Sequence, residues 1–497
     1  MTAQHDSTNQ KGKTGRDNGN FALALALLSA SVVASGCVGF SPDGGMLAVE
    51  AAAQTELGKD VIKIHSEHDA ALVSERVKAL LAKSLTASAA VQIALINNRA
   101  LQAAYNELGI SEAEMVEASL PPAPTFTLLR IVGSGFEIER HIIENVLALI
   151  TLPRRREIAE AQFRQAQVRA IEATLRVAAD AARAYYRAVA ANETVKYLEE
   201  SRLSAEAVSD LAKQLGETGA MSKLDQAREH VFYAEVSGQL ATARLRQRIE
   251  RERLIRALGL WGADTHFVLA SGLPALPAKP KSLASIESEA VSRRADLVIA
   301  RMELDILALK LGLTRKTRFI NTLEVAGVSK VDKDVITNSR PVEVDKFDRR
   351  GFQVDLQVPI YDFGEARVRR AEETYMRAVN RLLELAVTVR SEAREAYQCY
   401  RGTYDVARHY EREVLPLRKI IADETLLNYN AMIRDPIALL SDARARLLSN
   451  VQAVEARRDF WLATVDLHAA IVGGQETRET TEPGQTMRAA GSDSTLD

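Results

Sequence analysis

Two histidines lie three apart in His65-Ser66-Glu67-His68. A His pair at helical spacing beside a carboxylate could begin a metal site. A solvated helical turn accounts for the same residues more simply, and it is the preferred reading. The two cysteines, Cys37 and Cys399, lie far apart and form no CxxC pair, so zinc and dithiol chemistry lack support. Cys399 is expected to be a small buried apolar residue. Tyr185, Tyr397 and Tyr400 fall in helical stretches, where packing along a seam is the expected role. No Gly-rich phosphate loop, nucleophile elbow or clustered metal ligands occur. These residues predict neither an enzyme nor a resident cofactor or metal.

The elements that would carry such residues are long helices. Among 497 residues, 64 are basic and 66 acidic, a balance that gives no reason to expect nucleic acid as a partner. Aromatics amount to only 5%, while Ala, Leu, Glu and Arg dominate. That composition suits long, closely packed helices. Between Pro153 and Pro274 there is no proline, as a helical interval requires.

Residues 1–36 read as an export signal: a polar leader with Lys11, Lys13 and Arg16, an apolar run from Phe21 to Val33, then small residues. Ala34-Ser35-Gly36-Cys37 resembles a lipoprotein signal-peptidase site, which predicts lipidation at Cys37. By resemblance to bacterial lipoproteins, Val38 in the next position favours the outer membrane. Residues 37–84 are expected as an N-terminal periplasmic segment, extended with one short helix. No later segment has the roughly 20 uninterrupted apolar residues of a spanning helix.

Beyond this segment the order of elements repeats. The first repeat is placed at 85–272, with a helix over Ala87–Leu120, strands over about 125–150 and a helical hairpin over about 154–258. Pro274, Pro277 and Pro280 mark a linker at 273–284. The second repeat, 285–472, is predicted to hold a helix over Ser285–Leu313, strands within about 319–358 and a hairpin over about 365–472. A polar loop is expected between its strands, from Ser329 to Arg350. Residues 473–497 read as a disordered tail. Asn98-Arg99-Ala100-Leu101 parallels Arg294-Ala295-Asp296-Leu297, and Ala184-Tyr185 parallels Ala396-Tyr397. Ala220-Met221 likewise parallels Ala431-Met432. Matches in one order, the last two at nearly the same offset, indicate duplication.

The stretch from Phe352 to Tyr375 joins the two kinds of element. Phe352, Val354, Leu356 and Val358 alternate with Gln353, Asp355 and Gln357, the period of a strand with one apolar face. Pro359 stops the ladder, and past Gly364 the apolar residues recur at steps of three and four. Seven alternating residues are short for a membrane strand, so the ladder should continue upstream through Gly351 and Arg350. A helix of roughly 60 residues would reach on the order of 90 Å. Pro416, inside the second hairpin, predicts a kink or loosened turn.

The chain resembles the TolC-like outer-membrane efflux channels, their lipoprotein branch in particular, over about residues 85–472. The resemblance rests on Asn97–Tyr105, Ala118–Pro124, Val358–Glu372, Leu427–Met432 and the repeated order. It implies a mainly α chain with a small β part, three copies forming a 12-stranded β-barrel continued by an α-helical barrel. It also implies a passive conduit of a tripartite efflux or type I secretion system, with a periplasmic adaptor, an inner-membrane transporter and outer-membrane lipid as partners. Phe352, Val354, Leu356 and Val358 would then face lipid, and Pro153, Pro359 and Gly364 would mark the barrel–tunnel junction. The family's periplasmic gate maps onto Asp442, Arg434, Asp435, Tyr429 and Asp225. Leu439 and Lys223 stand where further gate acids are expected. The competing reading is a lipid-anchored periplasmic adaptor or coiled-coil scaffold, against which two hairpins, each preceded by a strand pair, argue.

Overall fold

The computed structural model describes residues 39–133, 135–282, 285–336, 343–431 and 436–474. By packing, the chain divides into two units. Among the described residues, one comprises 39–47, 106–168 and 298–385, and the other 48–105, 169–297 and 386–474. The protein is mainly helical with a small antiparallel sheet. No described helix is long and apolar enough to cross a membrane.

The first unit holds the sheet. Four strands run β1 Thr125–Val132, β2 Phe136–Asn145, β3 Thr322–Ile336 and β4 Glu343–Gln357. They pair antiparallel in sequence order, so β1 and β4 are its two edges. The expected polar loop at Ser329–Arg350 is therefore corrected: β3 extends to Ile336 and β4 starts at Glu343. The charged residues of this stretch sit on strands: Lys330 and Asp332 fall on one side of β3, and Val331 and Lys333 on the other. The expected continuation of β4 through Gly351 and Arg350 is present, which gives it 15 residues. β2 is shorter than expected: it ends at Asn145, and a helix runs from Val146 to Glu217 with Pro153 inside it.

The second unit holds a core in which Ile93, Val189, Leu254 and Leu258 are fully shielded. Two breaks organise it. The helix expected over Ala87–Leu120 is two helices, Ala87–Asn97 and Arg99–Ser119, interrupted at Asn98, whose backbone is extended (φ −67°, ψ 119°). The helix expected over Ser285–Leu313 likewise splits into Ile286–Arg293 and Ala295–Lys316 at Arg294 (φ −65°, ψ 124°). At the first break the Asn98 carboxamide oxygen accepts from the Ala100 and Leu101 N–H groups and caps the second helix. The Asn97 amide donates to the Leu258 and Gly259 carbonyls, which end the returning helix Lys223–Leu258. Gly259 has φ +68°, and a Cβ there would lie 3.0 Å from the Asn97 oxygen. At the second break Arg294 is buried between Asp296 and Glu392, at 3.0 and 2.6 Å. Gly473, with φ +115°, abuts Ala295 in turn.

The proline-rich linker is clasped. The Trp461 indole N–H donates to the Pro274 carbonyl, and the Tyr404 hydroxyl lies within hydrogen-bond reach of the Pro277 and Ala278 carbonyls. The Tyr400 hydroxyl accepts from the Lys281 N–H. Tyr185 is buried and donates to the Leu85 carbonyl. Tyr186 stacks on Trp461, and burial pushes its phenol up to about 12. Cys399 is exposed rather than buried, because the helix turns its neighbour Tyr400 inward. The loosened turn expected near Pro416 is a π-helical turn at Tyr410–Val414, with Pro416 starting the next helix, Leu415–Asn430. That helix and Pro436–Val472 complete the second hairpin. The N-terminal segment contains two helices, Leu47–Leu57 and Glu67–Leu81, rather than one. His65 and His68 flank the Ser66 cap of the latter, and no cluster of metal-binding groups occurs among the described residues.

Candidate functional site

In an antiparallel ladder, directly opposed residues share a face, so the register assigns every described strand residue to one side of the sheet. Phe352, Val354 and Leu356 oppose Gly327, Val325 and Leu323. Carried across β2 and β1, that face also holds Ile138, Ile142, Phe126 and Leu128. Phe352 is 74% exposed and Leu128 70%, so this face is apolar yet uncovered within one chain. Val358 departs from expectation: it lies past the end of β4, because the last rung is the Asn321 N–H donating to the Gln357 carbonyl.

The opposite face is polar. Lys330 bonds to Glu137 and sits 3.0 Å from Glu139 and 3.8 Å from Asp332. Arg349 reaches Asp332 at 3.6 Å. Gln353 donates to Asp355, and Thr322 to Gln357. The alternation read at 352–357 thus carries over to β3 on the rungs next to the helices, with Leu323 and Val325 on one side and Thr322 and Glu324 on the other. Along their outer sides, β1 and β4 have no strand partner among the described residues.

Each strand pair leads into a helix. After β2 there is no loop: the Asn145 side chain accepts from the Ala148 N–H at 2.8 Å and caps the helix directly. Pro153 falls inside that helix, whose second turn is supported by the Thr151 hydroxyl donating to the Leu147 carbonyl. The barrel–tunnel residue expected at Pro153 therefore lies beyond the strand-to-helix passage. After β4, residues 358–364 intervene. The Phe363 N–H donates to the Pro359 carbonyl, while Phe363 and Gly364 take φ of +46° and +73°. A Cβ on Gly364 would collide with the Arg318 carbonyl oxygen. The Asp362 carboxylate accepts from the Gly364 and Ala366 N–H groups, and these bonds, Gly364 first, hold its pKa below the usual 3.8.

The hairpin tips hold the remaining expected residues. Asp225 lies in the first turn after the Ser222 cap, receives the Ser222 hydroxyl at 2.6 Å and pairs with Arg228. Asp442 accepts from the Thr425 hydroxyl at 2.5 Å, a bond between the two helices of the second hairpin. Tyr429 is half-buried. Arg434 and Asp435 lie outside the described residues, as does Cys37. Near Asp225, Glu229 is 4% exposed with one carboxylate oxygen unpartnered among the described residues. Burial raises its pKa, and the charge of Arg444 opposes that rise. Arg444 itself lies over the Phe232 ring at 4.4 Å.

No family model and no curated protein sequence matches this chain. Solved structures do. The outer-membrane channel OprN superposes with a TM-score of 0.64 at 16% identity, covering 85% of this chain and 95% of OprN. The outer membrane channel CmeC of Campylobacter jejuni gives 0.60 at 16% identity, covering 86% and 93%. The open state of the Neisseria gonorrhoeae MtrE outer membrane channel gives 0.63 at 15%, covering 78% and 88%. This chain has the fold of the TolC-like outer-membrane channels. Its neighbours in fold are channels rather than enzymes.

Within this channel fold, sequence reasoning found the polar and apolar faces of β4 but missed the Lys330 group, having placed it in a loop. The alternation of Lys330 and Asp332 with Val331 was the available signal. Glu229 was also missed, since a single acid in a charged helix carries no mark of burial.

Proposed function

We propose that this chain is one protomer of a trimeric outer-membrane channel, a passive conduit in a tripartite efflux or type I secretion system. The observation that carries the reading is the four-stranded sheet with two open edges and an uncovered apolar face. Unpaired backbone groups are not tolerated against lipid, so a spanning sheet must close. Three copies of four strands make a twelve-stranded barrel, within the range of such barrels. β1 of one protomer then pairs with β4 of the next. Phe352, Val354 and Leu356 face lipid, and the Lys330 side faces the water-filled lumen. The helical hairpins continue the barrel as an α-helical tunnel into the periplasm, where an adaptor and an inner-membrane transporter supply cargo and energy. Repetition of the element order, with an extended break at Asn98 and again at Arg294, supports a duplicated half-channel. Cys37 anchors the chain to lipid, and Asp442, Arg434, Asp435, Tyr429 and Asp225 close the tunnel at its tips.

The test is extraction of the full-length protein from outer membranes, followed by mass measurement and conductance in planar bilayers. A conducting trimer of the chain shortened by residues 1–36 is expected. A monomer released by high salt overturns the reading. In the same bilayers, Asp442→Ala with Arg434→Ala should raise single-channel conductance, and unchanged conductance removes the gate assignment.

A further inference from the structure

The two faces of the sheet differ in charge as well as polarity. On the apolar face the register places Arg130, Arg140, Lys333, Lys346 and Arg350, with Asp348 and Glu144 its acids. Arg140 and Arg350 share one row through Ser329. Arg130 and Asp348 share the next row through Ile138 and Val331, and Lys333 and Lys346 form the row after that. The Arg140–Arg350 row crosses the middle of β3 and β4, and the other two rows lie beyond it toward the hairpin turns, away from the helices. The rows nearer the helices carry Phe126, Ile142, Phe352, Val325, Val354, Leu323 and Leu356, with Glu144 among them.

The basic residues of the two faces are handled differently. On the polar face, Lys330 and Arg349 are both in ion pairs. On the apolar face Arg130, Arg140 and Lys346 are exposed and have no hydrogen-bond or ion-pair partner among the described residues. Among the described residues Lys333 meets the Phe136 ring, at 5.6 Å. Arg350 alone has an acid, Asp348 at 3.2 Å.

We propose that this band is a binding surface for the phosphorylated glycolipid of the outer leaflet, its phosphates paired by Arg130, Arg140, Lys333, Lys346 and Arg350. The proposal rests on the barrel reading above. A strand rises about 3.4 Å per residue, and a tilt of about 40° reduces the height gained. Arg350 therefore sits roughly 16 Å above Leu356, and Lys346 roughly 26 Å above it. An apolar belt is about 25 Å tall, so Lys333 and Lys346 meet the outer headgroups. Arg130, Arg140 and Arg350 reach them by extending their long side chains outward. Charge on a lipid-facing strand is disfavoured near the midplane and tolerated at the headgroups, which matches the top-row position of Lys333 and Lys346; the Arg140–Arg350 row lies deeper in the belt and meets the headgroups only through side-chain extension. Arg binds phosphate with two parallel N–H donors, an advantage over a point charge.

The test uses the full-length protein extracted from outer membranes and stripped of lipid in neutral detergent. Diphosphoryl lipid A, its dephosphorylated form and phosphatidylglycerol are titrated in turn, with binding read by native mass spectrometry. Wild type is expected to bind the diphosphoryl form about tenfold more tightly than the dephosphorylated one. Arg130→Gln with Arg140→Gln and Lys346→Gln should lose that preference. Arg130→Lys with Arg140→Lys should keep most of it, which separates charge from folding. Equal affinity for the two lipid A forms, or for the neutralised variant and wild type, overturns the proposal. Equal affinity for phosphatidylglycerol overturns its commitment to the glycolipid. Recovery as a monomer outside the outer membrane removes the barrel reading and this proposal together. A trimer with no phosphate preference removes this proposal alone.

Discussion

The two passages from strand to helix solve one geometric problem by different means. β2 hands over to its helix without a connecting residue, and the side chain of Asn145 supplies the cap. β4 needs residues 358–364, two of them with positive φ, and an Asp carboxylate that satisfies two N–H groups. The first passage is specified by one replaceable side chain. The second is specified by backbone conformation, which only certain residues can adopt. Repeated order of elements has thus not enforced a repeated joint, and the second joint should be far the less tolerant of substitution.

The largest effect is expected at Gly364. Gly364→Ala combines a left-handed backbone with a collision against the Arg318 carbonyl, so a loss of about 3 kcal/mol or more is expected. Thermal unfolding of the extracted protein checks this against Gly133→Ala, where a Cβ would meet nothing within 4 Å. A Gly364→Ala protein as stable as the Gly133→Ala control would show that the joint is not conformationally demanding. At the first joint, Asn145→Ala removes one cap and should lower stability by about 1 kcal/mol, while Asn145→Asp keeps the acceptor. If Asn145→Ala destabilises as much as Gly364→Ala, the contrast between the joints fails.

The same contrast explains what the sequence made legible. Alternation at Phe352–Gln357 revealed a strand because a side-chain period survives without knowledge of any partner. The breaks at Asn98 and Arg294 stayed hidden because both lie within continuous helical patterns. Each depends on a distant contact: Gly259 against Asn97 in one case, Glu392 against Arg294 in the other. The end of β2 was misplaced for a similar reason. Val146, Ile150 and Thr151 are good strand formers, whereas Leu147, Ala148 and Leu149 favour helix, and the Asn145 cap marks where the helix begins. Ser329–Arg350 misled because its charges were taken as solvent exposure, whereas the ladder divides them between two faces. The basic band became visible only with the register, since Arg130, Arg140 and Arg350 lie on three different strands.

The smallest effect separates the joints by pH. Asp362 has its pKa held below 3.8, first by the Gly364 N–H, with that of Ala366 adding to it, against the opposing effect of desolvation. A carboxyl depressed in the folded state stabilises that state above its unfolded pKa. The contribution is complete above about pH 4 and is lost as pH falls through the folded value. Asn145 does not titrate, so its cap is unaffected over the same range. Comparing the wild type with Asp362→Asn isolates this residue. Their difference in melting temperature should be constant at neutral pH and shrink as the pH is lowered beneath 3.8. The corresponding difference between wild type and Asn145→Ala should stay flat. An Asp362→Asn difference that does not change with acid would mean that the carboxylate charge contributes nothing at the β4 joint. The asymmetry would then reside in the positive-φ backbone of Phe363 and Gly364 alone.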